Sequence, residues 1–212
     1  MKAETTRLRA DAQRNRDHIV AVARVVFAEI GPGAPMDEVA RRAGVGIGTL
    51  YRRFPDRGSL LRAVALESLS AILADAHAAI GEEPTAWDAL ARIVRRAVEL
   101  RFSTQVTMMD EHTRQAFKEA PDFRQTRAAV IDVVEHLVGR AQAEGTMRSD
   151  VGAGDVFAVV SFLLKPPPSR SAEMSDLLMR RCLTLILDGL HSGGPSALPG
   201  EPVNVADLHL DS

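Results

Sequence analysis

Apolar positions recur at helical spacing along nearly the whole of this chain. Ile19, Val22, Ala23, Val26, Phe27 and Ile30 form one stripe, closed by Gly31-Pro32-Gly33. Met36, Val39, Ala40 and Ala43 predict a short second helix stopped by Gly44, and residues 47–54 predict a third stopped by Pro55. Asp56 is placed to cap a fourth helix carrying Leu60, Leu61, Val64, Leu69, Ile72 and Leu73 and ending near Gly81. Trp87, Leu90, Ala91, Val94, Ala97, Val98 and Phe102 line one face of a fifth. A sixth covers about 104–119 and ends at Pro121. The seventh carries Phe123, Val130, Val134, Leu137, Val138 and Ala141 and stops at Gly145. Two more, about 153–165 and 173–191, flank Pro166-Pro167-Pro168 and are apolar on nearly every side, unlike the surface helix of a monomer. Strand-like alternation is absent before the last dozen residues, so the expected class is all-α. From Ser192 onward, Gly, Pro and Ser predict a loose tail.

Composition narrows the setting. The 212 residues are 46% hydrophobic and 25% charged, enough for a sizeable core under a polar surface. The longest apolar runs fall short of the roughly 20 residues a membrane span needs. The first residues, MKAETTRLRADAQRNRD, lack the apolar core of a signal peptide. Cys182 is the only cysteine, which excludes an internal disulfide and a zinc-thiolate site; its apolar helix suggests a small core residue. The expectation is a cytoplasmic protein without membrane partner, metal or cofactor.

Charge is unevenly divided. Residues 1–63 hold 12 Lys/Arg against 7 Asp/Glu, while the remainder holds 14 against 21. A basic N-terminal module on an acidic body points to a polyanion partner for the first part alone.

The stretch AGVGIGTLYRRFPDR, residues 43–57, sharpens that reading. Gly44-Val45-Gly46 joins two short helices tightly enough for a steep helix-turn-helix crossing. Leu50 and Phe54, at i and i+4, can face inward, which leaves Ile47, Gly48, Thr49, Tyr51, Arg52 and Arg53 available outside. Guanidiniums reach phosphates or guanine edges, and a tyrosine hydroxyl bonds a phosphate while its ring packs on sugar. A phosphate-binding P-loop does not fit, because no strand precedes the glycines and no Gly-Lys-Ser/Thr follows.

These residues also carry a resemblance. Val39-Ala40, Ala43-Gly44-Val45, Gly48-Thr49-Leu50-Tyr51, Phe54, Arg57 and Leu60-Leu61 stand in fixed register, and residues 16–64 resemble the N-terminal DNA-binding domain of TetR-family transcriptional regulators. The resemblance implies a three-helix helix-turn-helix DNA-binding domain followed by a helical bundle for ligand binding and dimerisation. It divides the chain into a basic N-terminal arm (1–15), the DNA-binding domain (16–64), the bundle (65–191) and a flexible tail (192–212). Pro35 and Gly46 stand where the family usually has a small hydroxyl residue, so both short helices lose a side-chain cap. Arg57 stands in place of a lysine and remains competent for phosphate. Ile47 falls where the family varies its base contacts; it either touches a thymine methyl or turns into the core.

Beyond the motif, Trp87, Phe102, Gln105, Met108, Met109, His112, Phe117, Phe123 and Phe157 are candidates to line a cavity for a small apolar or amphipathic molecule. The apolar excess of Val156, Val160, Leu163, Leu164, Leu178, Leu185 and Ile186 predicts a four-helix dimer interface. The expected partners are therefore roughly palindromic double-stranded operator DNA, a small-molecule inducer and a second copy of the chain. The expected function is that of a repressor released by its ligand. The alternative is a helical module whose basic helix-turn-helix docks an acidic protein. An enzyme built in the bundle ranks third, since no histidine pair has metal-ligand spacing on one helix and no reactive constellation emerges.

Overall fold

A computed structural model describes residues 2–31, 33–100, 111–163, 171–193 and 196–208. Regular structure among them is helical: α1 (Lys2–Ile30), α2 (Met36–Arg42), α3 (Ile47–Arg53), α4 (Arg57–Glu82), α5 (Ala86–Leu100), α6 (Glu111–Glu119), α7 (Pro121–Ala143), α8 (Ala153–Leu163) and α9 (Ala172–Leu190), then a 3₁₀ turn at Val205–Asp207. The all-α expectation holds, and helices break near Gly31, Gly44, Pro55, Pro121 and Gly145 as expected, while Pro166-Pro167-Pro168 lies outside the described residues.

α1 begins well before the apolar stripe does, so the arm expected at 1–15 is helical from Lys2. Residues 2–17 are rich in Arg and Ala and lack Gly and Pro, which favours helix without any apolar face to announce it. α4 is long and apolar enough to cross a membrane. Its stripe of Leu60, Leu61, Val64, Ala65, Leu69, Ile72, Ala76 and Ala79 is buried within the protein, the pattern of a core helix.

The chain forms two compact units. One comprises Met1–Glu67 with Gln105–Phe117, and the other Ser68–Thr104 with Lys118–Ser212. In the first, α1 packs on α2 and α2 on α3 around Ile19, Ala23, Val26, Phe27, Val39 and Leu50. In the second, α7 lies along α5, and α8 packs on α5, α7 and α9. Leu90, Leu137, Ala141 and Val151 are buried at its centre.

The described tail residues, 196–208, differ from the loose segment that composition suggests. They are hydrogen-bonded to the connection between α7 and α8 and to the first turn of α8. Those bonds run to backbone groups and carboxylates, so apolar periodicity carries no trace of them. Cys182 also departs from expectation: it is exposed on α9, outside the Met179, Leu183, Leu187 stripe that faces inward.

Candidate nucleic-acid interface

The turn between α2 and α3 is built by one glycine. Gly44 has φ +65°, a left-handed conformation that side chains with a Cβ rarely adopt. There the Gly44 N–H donates to the Arg41 carbonyl at 3.2 Å and the Val45 N–H to the Ala40 carbonyl at 3.0 Å. This paired closure satisfies the last carbonyls of α2 and turns the chain sharply into α3. Gly46 then opens α3 with extended backbone and no side-chain cap; Pro35 opens α2 in the same uncapped way.

α3 is short and two-faced. Leu50 is fully buried and Phe54, which ends the helix, is buried too. Gly48, Arg52 and Arg53 are exposed, Tyr51 is 46% exposed and Ile47 40%, while Thr49 is half-buried. Ile47 therefore sits on the outer face with Tyr51, one turn on. Beside Gly48 the space is open, so nothing in the unit prevents a close approach to its backbone. Arg57 is half-buried at the head of α4, and Asp56 caps that helix by accepting the Ser59 N–H at 2.6 Å.

Two contacts steady this surface that the apolar pattern did not reveal. Arg16 of α1 stacks over the ring of Phe54. Glu38 accepts hydrogen bonds from Arg41 and Arg42, and Arg42 also pairs with Glu29 of α1. The hydrogen bonds from Arg41, then Arg42, hold the Glu38 carboxyl at about 2, below its ordinary 4.5. The i, i+3 and i, i+4 spacing of Glu38 with the two arginines is the sequence signal for that cluster.

In the second unit the expected ligand residues scatter. Phe102, Gln105, Met108 and Met109 lie outside the described residues. Phe117 is buried, but with the first unit rather than in the bundle, and His112 of that unit is exposed. Trp87 and Phe123 are buried in the bundle and Phe157 is half-buried. Trp87 meets His191 edge to face, ring centroids 5.3 Å apart. A groove of about 680 Å³ between α4 and α5 is charged rather than apolar, lined by Asp75, Glu83, Asp88, Arg92, Arg95, Arg96 and Glu99 with Ala74 and Ala78. Arg92 bonds Asp75 at 2.6 Å, Glu82 at 2.8 Å and Glu83 at 3.0 Å, which pushes its pKa above the ordinary guanidinium value.

The expected dimer residues divide as well. Leu185 is 68% exposed, and Val160, Leu163, Leu178 and Ile186 are half-buried. Val156 is buried inside the chain itself and has no surface to offer a partner; Leu164 lies outside the described residues. Phe162 on α8 is 72% exposed, the most exposed large apolar side chain among the described residues. Among the described residues no group of three His, Cys, Asp or Glu side chains could hold a metal.

A helix-turn-helix head whose recognition helix exposes Tyr, Arg and an open glycine, carried by a separate helical unit, defines the class of a DNA-reading regulator. Comparison with known proteins agrees. Residues 19–64 match the model for bacterial regulatory proteins of the tetR family, and residues 83–192 match that for the SbtR-like transcriptional regulator C-terminal domain. An HTH-type transcriptional regulator of Staphylococcus aureus is 41% identical over 54 residues, which span 25% of this chain and 29% of that relative. The TetR regulatory protein of Mycobacterium vanbaalenii is 33% identical, covering 87% of this chain and 99% of that one at TM-score 0.58. The regulator SCO0520 of Streptomyces coelicolor is 28% identical, covering 84% and 98% at TM-score 0.62. LfrR of Mycobacterium smegmatis, solved in complex with proflavine, shares the fold at 22% identity and TM-score 0.58, covering 88% and 98%. The chain belongs to the TetR family of bacterial transcriptional regulators.

Proposed function

We propose that the protein is a repressor that binds a roughly palindromic operator as a homodimer and is released by a small molecule. The observation that carries the DNA-binding part is the division of α3, with Leu50 and Phe54 buried while Ile47, Tyr51, Arg52 and Arg53 face outward. In this reading the two arginines grip phosphates or guanine edges, Tyr51 bonds the backbone and Ile47 meets a thymine methyl. Thr49 and Gly48 allow close approach, and Arg57 holds a flanking phosphate. Pairing of two chains through α8 and α9 would cover Phe162 and Leu185 and present two recognition helices to successive major grooves.

Ser68 supports the ligand. It is 1% exposed, the one buried polar residue among those described, and its hydroxyl has no hydrogen-bond partner. It falls at the middle of the buried stripe of α4, between Ala65 and Ile72. In this reading the Ser68 hydroxyl is the polar contact for a largely apolar molecule with one hydrogen-bonding group. LfrR, of the same fold, forms a complex with proflavine.

Selection of bound fragments from genomic DNA with purified protein tests the DNA reading and names the operator. Duplex binding that weakens as salt rises supports it; binding to an acidic protein but to no duplex favours the alternative interaction module. Titration of candidate molecules with and without operator tests release, since linkage requires operator to weaken an inducer by the factor the inducer weakens operator.

A further inference from the structure

After α9 the chain does not leave the second unit. His191 and Met147 form an antiparallel bridge, with the Ser192 N–H donating to the Thr146 carbonyl at 3.0 Å. Farther on, the Arg148 guanidinium donates to the Ser196 carbonyl at 2.7 Å, and Asp150 accepts the Leu198 N–H at 3.0 Å. At Val203 both backbone groups are engaged: its carbonyl accepts the Gly154 N–H and its N–H donates to Asp155, each at 2.9 Å. The tail thus follows the α7–α8 connection, bonded to residues 146–148, then 150, then 154–155.

The seat is shaped for this segment. A Cβ on Gly152 would lie 2.2 Å from the Val203 carbonyl oxygen, and one on Gly154 2.5 Å from that of Asn204. Neither glycine has a positive φ, so close approach by the tail is what each absent side chain permits. The same Asp155 oxygen that receives Val203 also accepts the Gly152 N–H at 2.8 Å, which caps the start of α8. The tail leaves the C-terminal end of α9 and is fastened at the N-terminal end of α8, and those two helices pack on one another. Phe162 on α8 and Leu185 on α9 are the two most exposed large apolar side chains described.

We propose that residues 196–204 are an intramolecular strap, seated on Gly152 and Gly154, that clamps the far end of α9 to the start of α8 and so presets the helix pair for self-association. Preset elements lose less freedom on binding, so the strap strengthens dimerisation without touching the partner. The inference rests on the homodimer reading above.

Gly154→Ala in the full-length protein tests it, because the two effects of the change have opposite signs. Alanine favours helix α8 over glycine, yet its Cβ must expel the strap. Val203→Pro attacks from the other side, deleting the N–H that reaches Asp155 and leaving the Gly152 cap alone. Hydrogen–deuterium exchange over 196–204 reports release of the strap, and sedimentation equilibrium the dimer dissociation constant. The expected result is faster exchange in the strap, unchanged helix content and dimer dissociation raised by about tenfold. A strap released with no change in dimer dissociation, or with only a lower melting temperature, overturns the proposal. So does a strap that stays protected in both variants, because the seat would then not be the one described. A wild-type protein that is monomeric at micromolar concentration removes the homodimer reading itself and is read from the control.

Discussion

The Arg16 guanidinium lies over the ring of Phe54, its central carbon 5.5 Å from the ring centroid. Phe54 is the residue on which α3 ends, so α1 braces the recognition helix at its C-terminal end. Arg16→Ala should lower the stability of the first unit by about 0.5–1 kcal/mol, the range for a partly exposed cation over an aromatic ring. Phe54→Ala should lose about 3–5 kcal/mol, since it also empties a buried site. Urea denaturation followed by circular dichroism measures both; equal losses would contradict the two roles.

The outer face of α3 should be separable from its inner face. Tyr51→Ala or Arg53→Ala is expected to weaken operator binding by about 1–3 kcal/mol with little change in melting temperature. Leu50→Ala should do the reverse first, losing about 2–5 kcal/mol of stability through the cavity it leaves. A mobility-shift titration beside a thermal melt reads each variant.

Two glycines of the motif should respond to alanine in opposite directions. At Gly44 the positive φ makes any side chain strained, so Gly44→Ala should destabilise by about 1 kcal/mol. Gly48 is helical with open space beside it, and Gly48→Ala should raise stability by up to about 1 kcal/mol. If DNA comes close to the backbone there, that more stable variant binds operator less well. Melting and binding measured on the same preparation reveal the split.

Acid should loosen the head through Glu38. Its carboxyl is depressed to about 2 from 4.5 by Arg41 and Arg42, so the charged form is the one the folded state prefers. That contribution is fully present above about 4.5 and disappears as pH falls through about 2. Denaturation midpoints measured across this window should fall more steeply for the native protein than for Glu38→Gln.

The first three helices were legible because each buried stripe has sharp ends: Gly31, Gly44 and Pro55 stop the pattern where the chain turns. Leu50 and Phe54 fixed which side of α3 faces in, so the exposure of Tyr51 followed from spacing alone. Ile47 did not follow, since an apolar residue on a two-faced helix gives no sign of its side; the structure puts it outside. In the bundle the pattern saturates. Val156 and Leu185 both read as apolar excess, yet the first is buried and the second is exposed. Only packing separates them. The strap was invisible for another reason: its glycines signal a close approach without saying which backbone approaches.

The Glu38 cluster also bears on how the protein tolerates salt. The excess of basic residues before position 64 suggests a head that clings to DNA by charge alone. Yet Arg41 and Arg42 are already bonded to Glu38, Arg42 to Glu29, and Arg14 to Asp11. Each phosphate neutralised on B-DNA adds roughly 0.9 to the logarithmic dependence of affinity on ionic strength. Arginines held by carboxylates release few counterions, so that dependence should be shallower than a count of basic residues implies, and more of the operator's grip should survive as ionic strength rises.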